Sequence, residues 1–479
     1  MKEQNSRAIA FTVAAAFFME TLDASIITTA LPAIGAGFGT TALGVSASVT
    51  AYLVAMAVFV PAAGWCGERY GARRVFAAAV AVFTLASLLC GLAPSLWALV
   101  AARVLQGAAA AFMSPVGRFV VLRETPQNRI IEAIATITWP GLIAPVLGPP
   151  LGGLLVSHFS WHWIFLINVP LGLIGVWLVL RYIPYRAPVQ RKRFDMPGFL
   201  LTALSLAALV EGLSELGQHH EGWTVPLLMI LIGIVTGLAA IRHARRTTDP
   251  MLDLRALRVP TFALAVASVG FISRVAINAS PFLLPLMFQI GYGMSPTEAG
   301  MMVLVYMAGN LLMKSATTPV LRRFGFRPVL VANALAASLL LCGFGLFRAD
   351  TPYPLLIGVL LASGCFRSLQ FTSLNAITYA DIEPERMGQA SSLAGMAQQV
   401  ALAIGVTIGG YALTVASLAS GLPMDAAINF TFAFITVGLV SASSAWMMLR
   451  LAPDAGAEMS GKARPGEEVA EPKPLQRPG

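Results

Sequence analysis

Residues 64–74 read Gly-Trp-Cys-Gly-Glu-Arg-Tyr-Gly-Ala-Arg-Arg, a glycine-containing cationic stretch that follows a long apolar run. Part of it returns about 254 residues later, where residues 322–327 read Arg-Arg-Phe-Gly-Phe-Arg. Two other glycine-containing stretches repeat in the same order at similar offsets: residues 37–39 with 291–293, and residues 148–153 with 405–410. The chain therefore contains two similar halves.

The chain carries too few charges for a soluble protein. Of its 479 residues, 57% are hydrophobic and 11% are charged, and the mean hydropathy is +0.74. Soluble domains carry roughly a quarter charged residues, and a single core stops growing beyond about 250–300 residues. The excess apolar surface must face lipid, which predicts an all-α integral membrane protein.

Apolar runs long enough to cross a bilayer recur along the whole chain. A spanning helix needs about 20 mostly apolar residues, whereas barrel strands give short alternating segments that are not seen here. We predict fourteen spans, near residues 8–30, 43–66, 75–93, 95–117, 132–156, 163–183, 197–216, 224–242, 261–290, 297–318, 328–347, 353–376, 389–414 and 428–450.

Arginine and lysine fall mainly on alternate loops. These loops contain Arg69, Arg73, Arg74, Arg118, Arg123, Arg129, Arg181, Arg186, Arg191, Lys192, Arg193, Arg242, Arg245, Arg246, Arg255, Arg258, Arg322, Arg323 and Arg327. The opposite loops contain Arg348 and almost no other cation. The positive-inside rule places the basic loops and both termini in the cytoplasm. The net charge of +9 thus reflects topology, and we expect no nucleic-acid partner.

Fourteen spans and a twofold repeat divide the chain as six, two and six. We predict an N-terminal six-helix bundle at residues 8–183 and a linker with two additional helices at 184–259. A C-terminal six-helix bundle follows at 260–451, and a disordered cytoplasmic tail at 452–479. Two repeated bundles with a substrate site between them, near the bilayer midplane, are typical of secondary transporters.

Several motifs resemble those of one transporter family over almost the whole chain. The opening stretch resembles the loop signature of the major facilitator superfamily, with Glu68 where the family usually has Asp. Residues 103–107 resemble its fourth-helix motif, and residues 144–153 resemble the antiporter motif of its drug exporters. Residues 22–32 and 161–170 are similar to the fourteen-span drug:proton antiporters of the EmrB/QacA group, and within it to a set of multidrug transporters.

This resemblance implies a major facilitator fold and a proton-coupled antiporter in the inner membrane of a bacterium. It implies no cofactor, because the proton gradient supplies the energy. The loop motif and its repeat would serve gating, through Gly64, Glu68, Arg69, Gly71, Arg73, Arg323, Gly325 and Arg327. The antiporter motif comprises Gly148, Pro149, Gly152 and Gly153.

Glu20 and Asp23 are acids inside the first apolar run. Three residues apart, they share one helix face. A charge at the centre of a spanning helix costs about 2.5–3.5 kcal/mol on insertion scales, so such residues usually mark an ion path. We therefore expect a proton-coupling role; helix-packing hydrogen bonds between protonated acids are the alternative.

Arg103 lies in the fourth apolar run at a depth similar to that of Asp23. We expect the two side chains to form an ion pair. Protonation of Asp23 would then release Arg103 and favour a different opening of the two halves. A static buried salt bridge explains the same pairing without movement.

Arg274 aligns with Glu20 at the repeat offset, and Asn278 follows one turn later on the same face. We expect Arg274, Asn278 and Phe271 to line the substrate cavity, with Arg274 converging on Glu20 and Asp23. The alternative is that Arg274 only neutralises a carboxylate.

The leading functional hypothesis is efflux of amphipathic or cationic small molecules by a proton-coupled antiporter working through alternating access. A dedicated exporter of one endogenous metabolite and a transport-inactive membrane sensor or scaffold are the alternatives. We predict no enzyme, because no phosphate loop, zinc signature or nucleophile elbow is visible. The expected partners are a small-molecule substrate, protons and the bilayer, with a periplasmic adaptor compatible. We expect a monomer that binds no metal.

Overall fold

The computed structural model describes residues 2–125, 130–185, 194–218, 224–248, 250–251, 254–382 and 387–451. Within these ranges the chain forms α-helices joined by short turns, with no strand, so the all-α prediction is confirmed. The predicted tail at 452–479 and several loop cations, among them Arg129 and Arg186, lie outside the described residues.

In the described residues, the first half of the chain forms eight helices. They are α1 (Lys2–Ile26), α2 (Leu31–Phe38), α3 (Ala42–Tyr70), α4 (Ala72–Gly91), α5 (Leu96–Glu124), α6 (Ile130–His158), α7 (Trp163–Leu166) and α8 (Asn168–Tyr182). A 3₁₀ turn at Ile27–Thr29 joins α1 to α2.

Two helices follow as a hairpin, and seven more lie in the described residues after it. The hairpin is α9 (Met196–Gln218) and α10 (Thr224–Arg246). The remaining helices are α11 (Pro260–Ala267), α12 (Val269–Leu286), α13 (Pro296–Phe324), α14 (Phe326–Phe344), α15 (Tyr353–Thr378), α16 (Met387–Ser420) and α17 (Ala427–Met448). One π-helical turn, Met287–Gly291, extends α12.

Every predicted span coincides with a helix or with two consecutive helices. Thirteen helical segments within the described ranges are long and apolar enough to cross a bilayer. The exception is α6, which has 29 residues, but of which only Ile143–His158 counts as a shorter apolar helix. The chain is a multi-pass membrane protein, and the number fourteen remains a prediction.

The repeated cationic stretch forms the same sharp turn in both halves. Gly71 is the single residue between α3 and α4, with φ +90°, and Gly325 is the single residue between α13 and α14, with φ +83°. Glycine adopts positive φ without the steric cost that a side chain would impose. The glycine in each copy therefore permits an abrupt reversal between two long helices.

The packing of the helices follows the sequence repeat. In the first half, α1 packs on α6, α3 on α5, and α4 on α8. In the second half the corresponding pairs are α12 on α16, α13 on α15, and α14 on α17. Across the two halves, α6 packs on α13 and α3 packs on α16. In the repeat α6 corresponds to α16 and α13 to α3, so each of these two contacts is the counterpart of the other. This is expected for halves related by a twofold axis.

We call the membrane side that contains Arg69, Arg73 and Arg323 the arginine-rich face, and the opposite side the arginine-poor face. At the arginine-poor end of the interface, Thr297 Oγ1 of α13 donates to Ser157 Oγ of α6 at 2.9 Å. The two halves are therefore in contact at this face.

Gly153 permits the close approach of α6 to α13. A Cβ atom at this position would lie 2.8 Å from Thr297 Cα, closer than side chains pack. We expect Gly153→Val to separate the two helices, at an overpacking cost of about 1–3 kcal/mol. Disulfide formation in a Ser157→Cys, Thr297→Cys variant, with the native cysteines replaced, should fall about tenfold or more.

The matched control for this experiment is Gly141→Val. Gly141 belongs to the same helix, and an added Cβ there meets no atom within 4 Å. It should leave the cross-linking yield unchanged. Equal cross-linking in the Gly153 and Gly141 variants would show that the glycine does not control the interface.

The α9–α10 hairpin lies beside the bundles, with α9 packed on α16 and α3. The outer helix α10 exposes large apolar side chains, including Leu228, Leu231 and Leu238, each more than half exposed. This surface is suited to contact with lipid. The hairpin is thus an addition at the edge of the interface between the halves.

Asp195 forms hydrogen bonds that hold the two helices together at the arginine-rich end of this hairpin. Its carboxylate accepts from the backbone N–H groups of Gly198 and Met251 at 3.0 and 3.1 Å, and lies 2.7 Å from His243 Nε2. Burial raises the pKa of Asp195, but these hydrogen bonds and the His243 ring outweigh it, so the pKa lies below its ordinary value of 3.8. The carboxylate links α9, α10 and the segment that leads to α11.

We expect Asp195→Ala to destabilise the protein by about 1–2 kcal/mol, because an N-cap hydrogen bond and a charged contact are lost. Since the folded-state pKa is depressed, the contribution is fully present above pH 3.8 and declines as the pH falls through the folded-state pKa. Thermal unfolding in detergent should therefore show a wild-type advantage at pH 5–7 that shrinks at pH 3. Asp425→Ala, which removes an exposed acid, is the control; a pH-independent difference would contradict the assignment.

Candidate functional site

Asp23 of α1 and Arg103 of α5 form a fully buried ion pair. Arg103 Nη1 donates to Asp23 Oδ2 at 2.5 Å, and both side chains are inaccessible to solvent. The predicted pairing is therefore present in the structure. A static buried salt bridge predicts the same contact.

Two amide side chains complete the coordination of Asp23. Gln106 Nε2 and Asn168 Nδ2 each donate to Asp23 Oδ1, at 2.9 and 2.8 Å. Gln106 lies one turn from Arg103 on α5 and also accepts from Arg103 Nη1 at 2.6 Å. Asn168 is the first residue of α8, so the network ties three helices together. Asp23 thus accepts three hydrogen bonds, an arrangement that stabilises a buried carboxylate.

Arg103 keeps unused hydrogen-bonding capacity. Its guanidinium carbon lies 4.2 Å from the centroid of the Tyr52 ring and 5.8 Å from that of Phe165, which gives cation–π stabilisation. Among the residues that the structure describes, Arg103 Nε and Nη2 have no hydrogen-bond partner, and neither does the buried Tyr52 hydroxyl. The Nε and Nη2 groups of Arg103 are therefore free to donate in a second arrangement of this side chain.

Glu20 occupies a separate position one turn before Asp23. Its side chain is 7% exposed, and both carboxylate oxygens accept from Ser114 Oγ of α5, at 3.1 and 2.9 Å. In contrast to Asp23, Glu20 has no cation in direct contact within the described part of the chain. It is a buried acid held by one hydroxyl group.

Arg274 does not converge on Glu20 and Asp23, and this prediction is wrong. Arg274 donates to the backbone oxygen of Ala265, to Asn375 Oδ1 at 3.0 Å and to Thr378 Oγ1 at 3.3 Å. The helix breaks at Ser268, between α11 and α12, which leaves carbonyls near the end of α11 without their intrahelical donors. Arg274 satisfies one of them.

The alternative, that Arg274 neutralises a carboxylate, is also not supported. Its hydrogen-bond partners are an amide, a hydroxyl and a backbone carbonyl, and all of them belong to the second half. The guanidinium therefore joins the broken α11–α12 segment to α15. The side chain is buried and serves helix packing in this structure.

Asn278 and Phe271, the other two residues predicted to line the cavity, are not contradicted by the structure. Asn278 is 3% exposed, and its Nδ2 has no hydrogen-bond partner within the described ranges. Phe271, near the start of α12, is partly exposed. Both remain candidates for the substrate cavity, and Asn278 offers a free donor there.

The residues of the loop motif cluster at the arginine-rich face. Arg73 Nη2 donates to the Leu180 carbonyl at 2.5 Å, near the end of α8, and the Arg323 guanidinium carbon lies 5.5 Å from the Phe324 ring centroid. Arg69 is exposed and Arg327 is partly exposed. The Glu68 side chain lies outside what the structure describes. The predicted gating role of Gly64 and its neighbours therefore stays a prediction.

The glycines of the antiporter motif bring α6 against two different helices. Cβ atoms at Gly148 and Gly152 would overlap atoms of α1, whereas one at Gly153 would overlap α13. Pro149 continues this contact, because its carbonyl faces Gly300 of α13. The motif thus connects the helix that contains Asp23 to the interface between the halves.

Four polar partners of the site were not assigned a role from the sequence. Gln106 and Asn168 fall within the quoted motifs. Ser114 and Ser87, whose Oγ accepts from Gln106 Nε2 at 2.7 Å, lie in apolar spans where isolated hydroxyls are common. A stronger signal was available for Lys314 and Arg367, which are cations inside apolar runs. Among the described residues, no three His, Cys, Asp or Glu side chains are grouped as metal ligands would be.

The family model of the Major Facilitator Superfamily matches residues 13–272 and 266–477 of the chain. These two matches together cover most of the sequence and coincide with its two halves. The chain belongs to the major facilitator superfamily, whose members are transporters and not enzymes.

Curated relatives include the "Putative multidrug resistance protein MdtD" of Salmonella heidelberg (strain SL476) and its counterpart in Salmonella typhi. Each is 39% identical over 417 residues, which span 85% of this chain and 87% of the relative. The resemblance to multidrug transporters predicted from the sequence is confirmed. The chain is a multi-pass protein of the bacterial inner membrane.

Solved structures show the same fold at low identity. A nucleoside transporter, NupG, is 15% identical with a TM-score of 0.62, covering 92% of this chain and 99% of that one. The partially occluded inward-open xylose transporter XylE from E. coli is 12% identical with a TM-score of 0.61, covering 94% and 99%. The major facilitator fold is therefore established, and the protein is a secondary transporter that acts on a small molecule.

Proposed function

We propose that the protein is a proton-driven antiporter that exports amphipathic, cationic small molecules by alternating access. The single observation that carries the proposal is the buried contact of Asp23 with Arg103, which Gln106 and Asn168 complete. The multidrug name of the MdtD relatives supports a broad substrate range over a dedicated exporter. Intramembrane acids with such partners are characteristic of proton pathways.

Glu20 is the proton carrier in this proposal. It is buried and held by one hydroxyl group. No cation of the described residues forms an ion pair with it, so no direct contact opposes a change of protonation. It lies one turn from Asp23 on the same face of α1. Loss or gain of its charge changes the field at the Asp23–Arg103 pair, since charges at such short range interact strongly away from water.

The coupling step is a rearrangement of Arg103. When the charge on α1 changes, the guanidinium can exchange Asp23 for other acceptors through its unused Nε and Nη2. Because Arg103 joins α1 to α5, this exchange alters how α1 packs on α6. The glycines of α6 then transmit the change to α13 and to the contact at the arginine-poor face.

Transport in proteoliposomes tests the proposal. With the purified protein in liposomes and rhodamine 6G as the cationic probe, an imposed pH gradient should drive dye movement against the proton flow. Collapse of the gradient by a protonophore should abolish dye accumulation. Dye movement that is independent of the gradient, or absent for a panel of cationic dyes, would contradict it.

A further inference from the structure

The membrane helices of the second half contain cations but almost no acid. Along α11 to α17 the only Asp or Glu inside a helix is Glu298, in the exposed first turn of α13. The same helices contain Arg274, Lys314 and Arg367 within their spans. Arg274 donates to the Ala265 carbonyl that the break between α11 and α12 leaves free, which explains its charge. Lys314 and Arg367 form no ion pair with a carboxylate among the described residues.

Both side chains are directed towards the interior of the bundle. Lys314 lies two turns from Met307 and from Leu321 on α13, and these two residues are 5% and 7% exposed. On α15, Arg367 lies two turns from Leu360 and Leu374, at 0% and 2%. Residues seven apart share a helix face. Neither cation is therefore on the lipid-facing side of its helix.

The depth of the two cations places them near the bilayer midplane. Lys314 is about 15 Å and Arg367 about 16 Å from the arginine-rich ends of their helices, at 1.5 Å per residue. The hydrocarbon core is about 30 Å thick. An unpaired charge at this depth is costly and usually marks a substrate or ion pathway.

Their contacts leave hydrogen-bonding capacity free. Lys314 Nζ donates to Thr372 Oγ1 of α15 at 3.1 Å, one of the three hydrogens it can offer. The Arg367 guanidinium carbon lies 5.9 Å from the Tyr306 ring centroid, and its buried Nε has no partner among the described residues. Thr372, which accepts from Lys314, lies five residues from Arg367 on α15, so the two like charges are near each other and repel. An anion between them would relieve that repulsion.

The repeat shows that the architecture does not demand these charges. The position that corresponds to Lys314 in the first half is Val60, and the one that corresponds to Arg367 is Ala110. The tyrosine that contacts an arginine, in contrast, is present in both halves. Tyr306, which contacts Arg367, corresponds to Tyr52, which contacts Arg103. Two positions that are apolar in the first half are therefore cationic in the second half.

We propose that Lys314 and Arg367 form an anion-binding subsite that holds a carboxylate, sulfonate or phosphate group of the transported molecule. This inference rests on the proposed transport function and widens its substrate class to amphipathic molecules with an anionic group. The acids of α1 and the cations of α13 and α15 then give the two halves opposite charge.

Binding of two xanthene dyes of opposite charge tests the subsite. Fluorescein is the anionic probe and rhodamine 6G the cationic probe, titrated against the full-length protein in phosphatidylcholine nanodiscs by fluorescence anisotropy. Lys314→Met and Arg367→Met should each weaken fluorescein binding about 10- to 100-fold, the loss expected for one charged hydrogen bond. Rhodamine 6G binding should change little, which also shows that the variants are folded.

Lys314→Arg should restore most of the fluorescein affinity, and Arg450→Met, which removes an exposed cation, should have no effect. Unchanged fluorescein affinity in both methionine variants, or no fluorescein binding by the wild type, would overturn the proposal. If the wild type retained phosphatidylglycerol, Lys314→Met did not, and no fluorescein bound, the pair would be assigned to a lipid headgroup. That result would also overturn the proposal. Failure of pH-driven rhodamine 6G transport, with fluorescein binding intact, would contradict the proposed function alone.

Discussion

Replacement of Arg103 by Ala is expected to destabilise the protein by about 3–5 kcal/mol and to abolish transport. The substitution leaves the Asp23 carboxylate buried with no cation, and loss of one partner of a buried pair has costs of this size. It also removes the hydrogen bond that Arg103 Nη1 donates to Gln106 Oε1, which orients Gln106. Thermal unfolding of the purified protein, followed by tryptophan fluorescence, measures the loss.

A double variant separates stability from function. Asp23→Asn combined with Arg103→Gln removes both charges and should recover most of the lost stability, because no buried charge is left unpaired. It should still fail to couple dye movement to a pH gradient. Arg123→Ala, at the exposed end of the same helix, is the control. Full coupling in the double variant would show that the pair is only structural.

Glu20→Gln is expected to abolish transport driven by the pH gradient while leaving exchange of substrate intact. The amide can still accept from Ser114, so the local contact is kept, but it cannot take up a proton. Exchange of labelled for unlabelled substrate needs only the alternation of the loaded transporter. Net flux should fall about 100-fold or more, where 100-fold is the lower end of the range for loss of a proton-transferring group.

The comparison of two assays makes this prediction specific. Rhodamine 6G flux under an imposed gradient and dye exchange at equal pH are measured on the same proteoliposomes. Asp425→Asn, an exposed acid at the arginine-poor face, should behave as the wild type in both. If Glu20→Gln retained gradient-driven flux, the proton would have to bind elsewhere.

The sequence repeat predicted two similar bundles, and the helix pairs of one half correspond to those of the other. The two copies of the cationic stretch align α3 with α13, and the observed helix pairs follow that alignment. The Asp23–Arg103 contact was also predictable. When two opposite charges lie at similar depth in apolar helices, their pairing lowers the free-energy cost of placing both in the bilayer.

The misplacement of Arg274 has a physical cause that the sequence does not show. Residues 260–286 read as one apolar span, and no proline marks the break at Ser268. The break exposes the Ala265 carbonyl, which competes successfully for the arginine. Lys314 and Arg367 are also charges inside apolar runs, so their positions in the sequence alone indicate a pathway as those of the acids of α1 do.

Direct observation of proton movement is the closest test of the central claim. With a rhodamine 6G gradient and no initial pH difference, a pH-sensitive dye inside the proteoliposomes records the internal pH. The account predicts that protons move opposite to the dye in the wild type and that this movement disappears in Glu20→Gln and Asp23→Asn. Dye movement by the wild type with no change in internal pH would contradict proton antiport.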